Sequence, residues 1–233
     1  MAINVDTVYK TVLLILNKEQ RGYLTPDEFN KTATQVQLEI FNEYFEGLNQ
    51  QLRVPDNDSE YADRIKNIDG EMSIFKTIGN CTIVSGSTWS LPSPTDFYRL
   101  GTVIYNDEIE VQRIQRNDLL YINKSPLTKP TKSYPVYLYE NSRITLYPIS
   151  ITTGISVSYI RKPVDVVWNF TATAPDYTYV YSPGSSTSFE LSVTEQTNVI
   201  TRILLYSGVI VNDPEIVQVA AQQIQQEQIN SKS

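Results

Sequence analysis

Apolar residues change their spacing twice along this chain, and that double change constrains the fold more than any single motif. Between residues 5 and 16 they recur at 5, 8, 9, 12, 13, 15 and 16, one wide stripe at helical spacing. Phe29, Val36, Ile40, Phe41, Tyr44, Phe45, Leu48 and Leu52 continue the pattern in a second helix. Tyr61, Ile65 and Ile68 mark a third helical piece near 58–68. Near Gly79 the helical spacing stops. From there to about residue 193 the chain is rich in Thr, Ser, Val, Ile and Tyr with frequent Pro and Gly, the composition of short strands and turns. Helical spacing returns in "SVTEQTNVITRILLYSG", with Ser192 and Glu195 opening a helix and Gly208 closing it. A last helix follows in "NDPEIVQVAAQQIQQEQ", with Asp213 as cap and Pro214 at the first position. The reading is α+β: an N-terminal helical region (1–78), a central antiparallel β domain (79–193) and a C-terminal helical region (194–233). The terminal helices are expected to pack on each other, since apolar stripes left in water cost about 25 cal/mol per Å².

Within the middle region, strands are predicted at 81–84, 98–105, 108–113, 136–140, 143–148 and 155–163. Asn106-Asp107 and Asn141-Ser142 are short enough to be hairpin turns, and "ISITTG" (149–154) joins the next pair. "RNDLLYI" (116–122) reads as a short helix inserted between hairpins, and 164–190 has few regular signals.

The string "LNKEQRGYLTPDEF" (16–29) imitates a calcium loop, with Asn17 first, Gly22 at the glycine turn and Glu28 closing. Arg21 would then point a cation at the cation, and Pro26 would sit inside the loop. A helix corner explains the string better. Gly22 can end the first helix, Thr25 caps the second, Pro26 takes its first position and Glu28 completes a capping box.

The chain has no histidine and one cysteine, Cys81. Ser-His-Asp and Cys-His nucleophile systems are therefore excluded within it, as is an intrachain disulfide, and zinc lacks its usual ligands. No Gly-rich phosphate loop is present: "GNCTIVSG" (79–86) lacks the lysine and the spacing. Cys81 sits in an apolar, β-prone stretch and reads as a buried structural thiol. Asp107, Glu108 and Glu110 could make a carboxylate enzyme, but a turn and a strand start usually carry such residues as solvated charges. The expectation is a non-enzymatic chain that needs no cofactor and no metal. Net charge is −7, without the basic footprint of a nucleic-acid binder. The unbroken apolar run Val12–Leu16 is too short for a membrane span, and no basic leader precedes it, so folding in a cytoplasm is expected. Asn80 and Asn169 are then chance glycosylation triplets. The sixteen tyrosines supply apolar area with a polar tip, which suits half-buried sheets and protein interfaces.

The order of features carries a resemblance. "LPSPTDFYRLGTVIY" enters a sheet after the helical pair, followed by "PLTKPTKSYPVYLYENSRITLYP", "ISVSYIRKPVDVVW" and the long C-terminal run from "FELSVTEQ" to "QQIQQEQ". Across roughly 5–228 the chain resembles the ring-forming head–tail connector proteins of tailed bacteriophages. It is most like a ring protein of crAss-like podoviruses and similar in plan to the tail tubular adaptors of short-tailed phages. The resemblance implies a virion structural protein at the head–tail junction, made in the bacterial host cytoplasm. It implies a homo-oligomeric ring of twelve copies that meets the portal protein and other tail or ring proteins. Double-stranded DNA would pass through its lumen without sequence-specific grip, and the acidic balance suits such a lumen. No membrane partner is implied. The last helix is the candidate subunit or portal contact, with Ile216, Val219, Ala220, Gln223 and Ile224. A tyrosine-rich β module of a tail appendage, binding a receptor or glycan, is the alternative reading.

Overall fold

The computed structural model describes residues 2–18, 24–53, 69–93, 95–173, 178–210, 218–219 and 221–226. The protein is α+β, and the chain divides into two units: residues 73–162, and residues 1–72 together with 163–233. The third helical piece near 58–68, the Gly22 stop and the Asp213–Pro214 cap lie outside the described residues.

The contiguous unit is a sheet built from β1 (Lys76–Asn80), β2 (Thr82–Ser85), β3 (Thr88–Ser90), β4 (Phe97–Tyr105), β5 (Ile109–Arg113), β6 (Val136–Glu140), β7 (Arg143–Tyr147) and β8 (Ile155–Arg161). Its strand order is β1-β8-β4-β5-β6-β7-β3-β2. The two ends of that order, β1 and β2, are consecutive pieces of one segment joined by Cys81. The sheet therefore curls round and closes on itself. Cys81 donates its N–H to Ile155 O at 2.9 Å, which holds the corner. Trp89, Val103, Val111, Tyr137, Ile144, Leu146, Ile155, Val157 and Tyr159 fill the interior.

Local chemistry shapes this closure. Asn106, Asp107, Asn141 and Ser142 all adopt positive φ, the geometry that lets a tight turn follow the right-handed twist of its strands. The long β4–β8 pairing shifts register twice, and such irregularities bend a strand. At one of them a Cβ on Gly101 would lie 2.7 Å from Ser158 O, so the two backbones approach as closely as glycine allows. One strand pair departs from the antiparallel expectation: β5 and β6 run parallel. A parallel neighbour needs a crossover, and residues 114–135, containing α3 (Arg116–Ile122), supply it.

The discontinuous unit holds α1 (Val5–Lys18), α2 (Pro26–Arg53) and α4 (Gln196–Ile210). A small hairpin belongs to it as well, β9 (Phe170–Thr173) paired with β10 (Thr178–Tyr181). Val5, Val8, Val12 and Leu16 of α1 and Phe29, Val36, Ile40 and Phe41 of α2 are buried, as are Val199 and Ile203 of α4. The capping box at α2 forms: Thr25 N–H donates to Glu28 Oε2 at 2.9 Å, and Glu28 N–H donates to Thr25 Oγ1 at 3.3 Å. Asn4, which the sequence reading passed over, caps α1 by accepting from the N–H groups of Asp6 and Thr7.

Two sequence expectations are corrected in this unit. Gly208 does not end its helix, because α4 continues through it to Ile210. Ser192 caps only a 3₁₀ turn, Val193–Glu195, and its side chain makes no capping bond.

The expected β boundaries, 79 and 193, also differ from the observed 73 and 162. The reason is a polar seam. Residues 164, 166 and 168 turn their backbone groups toward α2, where Asn30, Thr34 and Gln37 lie at i, i+4 and i+7. Asn30 accepts from Trp168 N–H at 2.7 Å and donates to Trp168 O at 3.2 Å. Thr34 Oγ1 accepts from Val166 N–H at 3.1 Å. Gln37 donates to Val164 O at 2.7 Å and accepts from Glu190 N–H at 2.8 Å. Val167, between them, points the other way and pairs with Thr187. One face of this extended segment is thus satisfied by side chains of a helix, and the segment belongs with the helices.

Candidate functional site

The sequence places its candidate interface on the last helix. Val219 and Gln223 are exposed and Ile224 is half-buried, while Ile216 and Ala220 lie outside the described residues. Residues 221–226 are helical. Residues 218–219 are helical as well, and Val219 and Gln223 are four residues apart in sequence. Val219 is 63% exposed, a β-branched apolar side chain held in water.

A second surface emerges from the crossover 114–135. Leu119 is the inward residue of α3 and packs with Val136 and Leu138, supported by Ile114 and Tyr147. Arg116 grips Glu140 of β6 through two guanidinium nitrogens, its Nε at 2.9 Å from Oε1 and its Nη2 on Oε2. That pairing holds the Glu140 carboxyl below the usual carboxylate range. Asp118 returns to the N–H of Gln115 as part of a capping box at the start of the helix. Beyond α3 the chain keeps its own order. Thr128 and Lys129 donate their N–H groups to Ser125 O, and Thr131 and Tyr134 exchange backbone bonds at 3.3 and 3.2 Å. With Leu119 packed inward, Leu120 (62% exposed), Tyr121 (71%), Leu127 (96%) and Tyr134 (81%) of the same crossover are each held in water. Four large apolar groups within fifteen residues, on a segment tied down at its base, are what an interaction surface looks like. The sequence reading found the helix but not its exposed side.

The sheet also carries a cleft of about 480 Å³ lined by Asn80, Cys81, Asn106, Asp107, Gly154, Ile155 and Ser156. Burial pushes the Cys81 thiol up to about 11, so it stays protonated and non-nucleophilic at neutral pH. Ser156 Oγ donates to Asp107 Oδ1 at 3.2 Å. Glu108 and Glu110 follow the turn in sequence, and among the described residues no group of three or more Cys, Asp or Glu side chains could hold a metal ion. The cleft offers hydrogen bonds to a small polar group.

Tyrosines contribute to an aromatic column in the helical unit. Tyr9 of α1 meets Phe29 of α2 edge-on at 4.8 Å and Trp168 at 4.2 Å. Trp168 continues to Phe170 and Tyr181, and Phe170 to Tyr179. Trp168 is buried, and its indole N–H donates to Asp6 Oδ1 at 3.1 Å. The column joins α1, α2 and the β9–β10 hairpin, with Tyr179 as its exposed end.

The charge is divided unevenly. The helical unit contains 9 Lys and Arg against 20 Asp and Glu, whereas the β unit contains 10 against 6. The −7 of the whole chain is therefore a sum of one strongly acidic unit and one mildly basic one. No described helix is long and apolar enough to cross a membrane. No family model matches the chain, and no curated protein matches it.

Proposed function

We propose that this chain is a structural protein of a tailed-phage virion, a ring-forming connector between head and tail. On this reading it has no enzymatic role. The observation that carries it is the crossover surface: Leu120, Tyr121, Leu127 and Tyr134 are held out in water by a base that is itself well packed. A side chain presented in that way gains by burial only when a partner arrives. The reading also draws on the order of helices, sheet and helices described under the sequence, and on Val219, exposed near the end of the chain. Its partners are further copies in a ring of twelve, the portal protein and the neighbouring tail or ring proteins. Double-stranded DNA passes through the lumen, and the acidic helical unit is the part suited to face it without gripping phosphates.

The test is the copy number of this chain in purified particles, measured by quantitative mass spectrometry against the portal protein. A ratio near one, or a small whole number, is expected. Absence from particles removes the reading. Because α4 runs to Ile210, a truncation that probes the last helix should end after Ile210. That variant is expected to keep its β unit folded and to fail in docking.

The appendage reading draws on the stacked rings of the β9–β10 hairpin, since aromatic faces can hold sugars. The rings mostly pack on one another and on the buried Trp168, with Tyr179 the outermost, which makes the column chiefly an internal prop. Labelling that places the chain at the tail tip rather than the head–tail junction would favour the appendage.

A further inference from the structure

We propose that the crossover 114–135 is the docking surface for the acidic helical unit of a second copy of this chain, so that copies join head to tail. Three observations converge on it. The surface is presented rather than loose, since Leu119, the Arg116–Glu140 pair and the Ser125 and Thr131 turns fix its base. Its exposed side chains include the apolar Leu120, Tyr121, Leu127 and Tyr134. It is also basic: Lys124, Lys129 and Lys132 are all exposed on it, and Lys124 Nζ stands 5.7 Å over the ring of Tyr121. Asp118, the carboxylate within the crossover, is engaged with the Gln115 N–H.

The complement is available on the same chain. The helical unit, with 20 acidic against 9 basic residues in its sequence, is of opposite sign; on α2 Glu46 is exposed, while the exposed carboxylates of Asp27 and Glu43 already pair with Lys31 and Arg202. Opposite charges on two different parts of one chain favour a heterologous contact, in which each copy uses one surface to hold and the other to be held. A symmetric contact of crossover on crossover would instead bring three lysines against three lysines. The apolar centre supplies the burial, and the lysines orient the approach. The inference deepens the ring reading only in naming the joint, for a head-to-tail contact that turns through a closing angle makes a ring. The contact itself is argued from exposure and charge.

The experiment uses the full chain with a photo-crosslinking amino acid at Leu127 or at Tyr134, in an equal mixture of light and ¹⁵N-labelled protein. Cross-links between copies are recognised by their mixed isotopes. The expected result is that both positions cross-link to peptides from α1, α2 or α4 of the other copy. The yield should fall about tenfold on raising the salt from about 50 to about 500 mM, because opposed exposed charges are screened. It should fall as far in the Lys124→Glu, Lys129→Glu, Lys132→Glu variant, whose changes touch no core residue. Cross-links from crossover to crossover overturn the proposal. So does the absence of any mixed-isotope product at about 1 mM chain, a concentration that populates contacts with a Kd of about 1 mM or tighter. A portal-matched copy number in particles with cross-links that miss the helical unit would remove this inference and leave the connector reading. Head-to-tail cross-links in a chain absent from particles would do the reverse.

Discussion

Arg202 of α4 is buried, and its two terminal guanidinium nitrogens reach the carboxylate of Glu43 on α2, at 2.9 and 2.6 Å. Its Nε donates to Asn198 Oδ1 at 2.7 Å, so every arm of the guanidinium is directed. Glu43 keeps 43% of its side chain in water, which screens the pair and lowers its worth. Arg202→Ala is therefore expected to lower the unfolding free energy by about 2–3 kcal/mol, through lost packing and an orphaned carboxylate. Glu43→Gln should cost about 2 kcal/mol as well, since the amide keeps one acceptor but leaves the buried guanidinium without its counter-charge. Urea unfolding of both single variants and the double variant checks the coupling.

The seam between α2 and residues 164–168 makes a sharper prediction. Asn30→Ala strands the Trp168 N–H and C=O and should cost about 2 kcal/mol. Asn30→Asp keeps the acceptor but loses the donor, leaving a carboxylate against the Trp168 carbonyl at neutral pH. Its deficit should shrink as the solution is acidified and the new carboxyl regains a proton to donate. Thermal melts at several pH values measure this, and hydrogen exchange at the Trp168 amide should speed up more in Asn30→Ala, which loses its acceptor, than in Asn30→Asp, which keeps it.

At the start of α2, hydrogen bonds from the Thr25 side chain and backbone hold the Glu28 carboxyl below its ordinary range. A carboxyl lowered in the folded state stabilises above its unfolded pKa, and that contribution fades as pH falls through the folded value. Thr25→Ala should lower the melting temperature by roughly 2–6 °C at neutral pH. The gap between variant and parent should narrow in acid.

Tyr206 of α4 behaves in the opposite sense. Its hydroxyl donates to Glu39 of α2, and that bond, with burial, pushes the phenol up to about 12. A raised folded pKa gives stability that is complete below the ordinary tyrosine range and is lost as pH climbs through the folded value. Between pH 10 and 12 the parent should therefore lose more stability than Tyr206→Phe does. Denaturant titrations of the two proteins at matched alkaline pH read the difference.

Gly154 combines two demands. Its φ is +78°, and a Cβ there would sit 2.1 Å from Asn106 Oδ1. Gly154→Ala should cost about 2–3 kcal/mol, part backbone strain and part collision. Adding Asn106→Gly removes the collision and leaves the strain, so the double variant should recover part of the loss.

Where the physics is local, the sequence was legible. α3 and β6 lie where the periodicity and turn residues placed them, and the Asn-containing turns adopt the positive φ that their short side chains tolerate. β2 was seen, but β1 and β3 were not, because they are short and their alternation is weak. Residues 164–168 read as irregular for a deeper reason. Their backbone partners are Asn30, Thr34 and Gln37, well over a hundred residues away, and no local pattern announces a helix acting as a strand's neighbour. The crossover surface was hidden because Leu119, Leu120 and Tyr121 are adjacent in sequence, and only the packing of Leu119 reveals which of them face outward. The uneven charge was hidden because the acidic unit is split across both ends of the chain, so the total averages over it.

That split has a consequence for how the chain is made. The β unit is contiguous, and once residue 162 has left the ribosome everything needed to close its sheet through Cys81 is present. The helical unit must wait. Phe29, Val36, Ile40 and Phe41 emerge early, but the seam over residues 164–168 and the buried side of α4 arrive only after the whole β unit has been synthesised. At about 5–20 residues per second, the roughly 110 to 160 residues between α2 and these partners leave the first two helices waiting for about 6–30 s. The acidic half of the molecule is thus completed last. A chain cut short before α4 would carry a finished sheet and an open helical face, so only copies that extend through α4 complete both units.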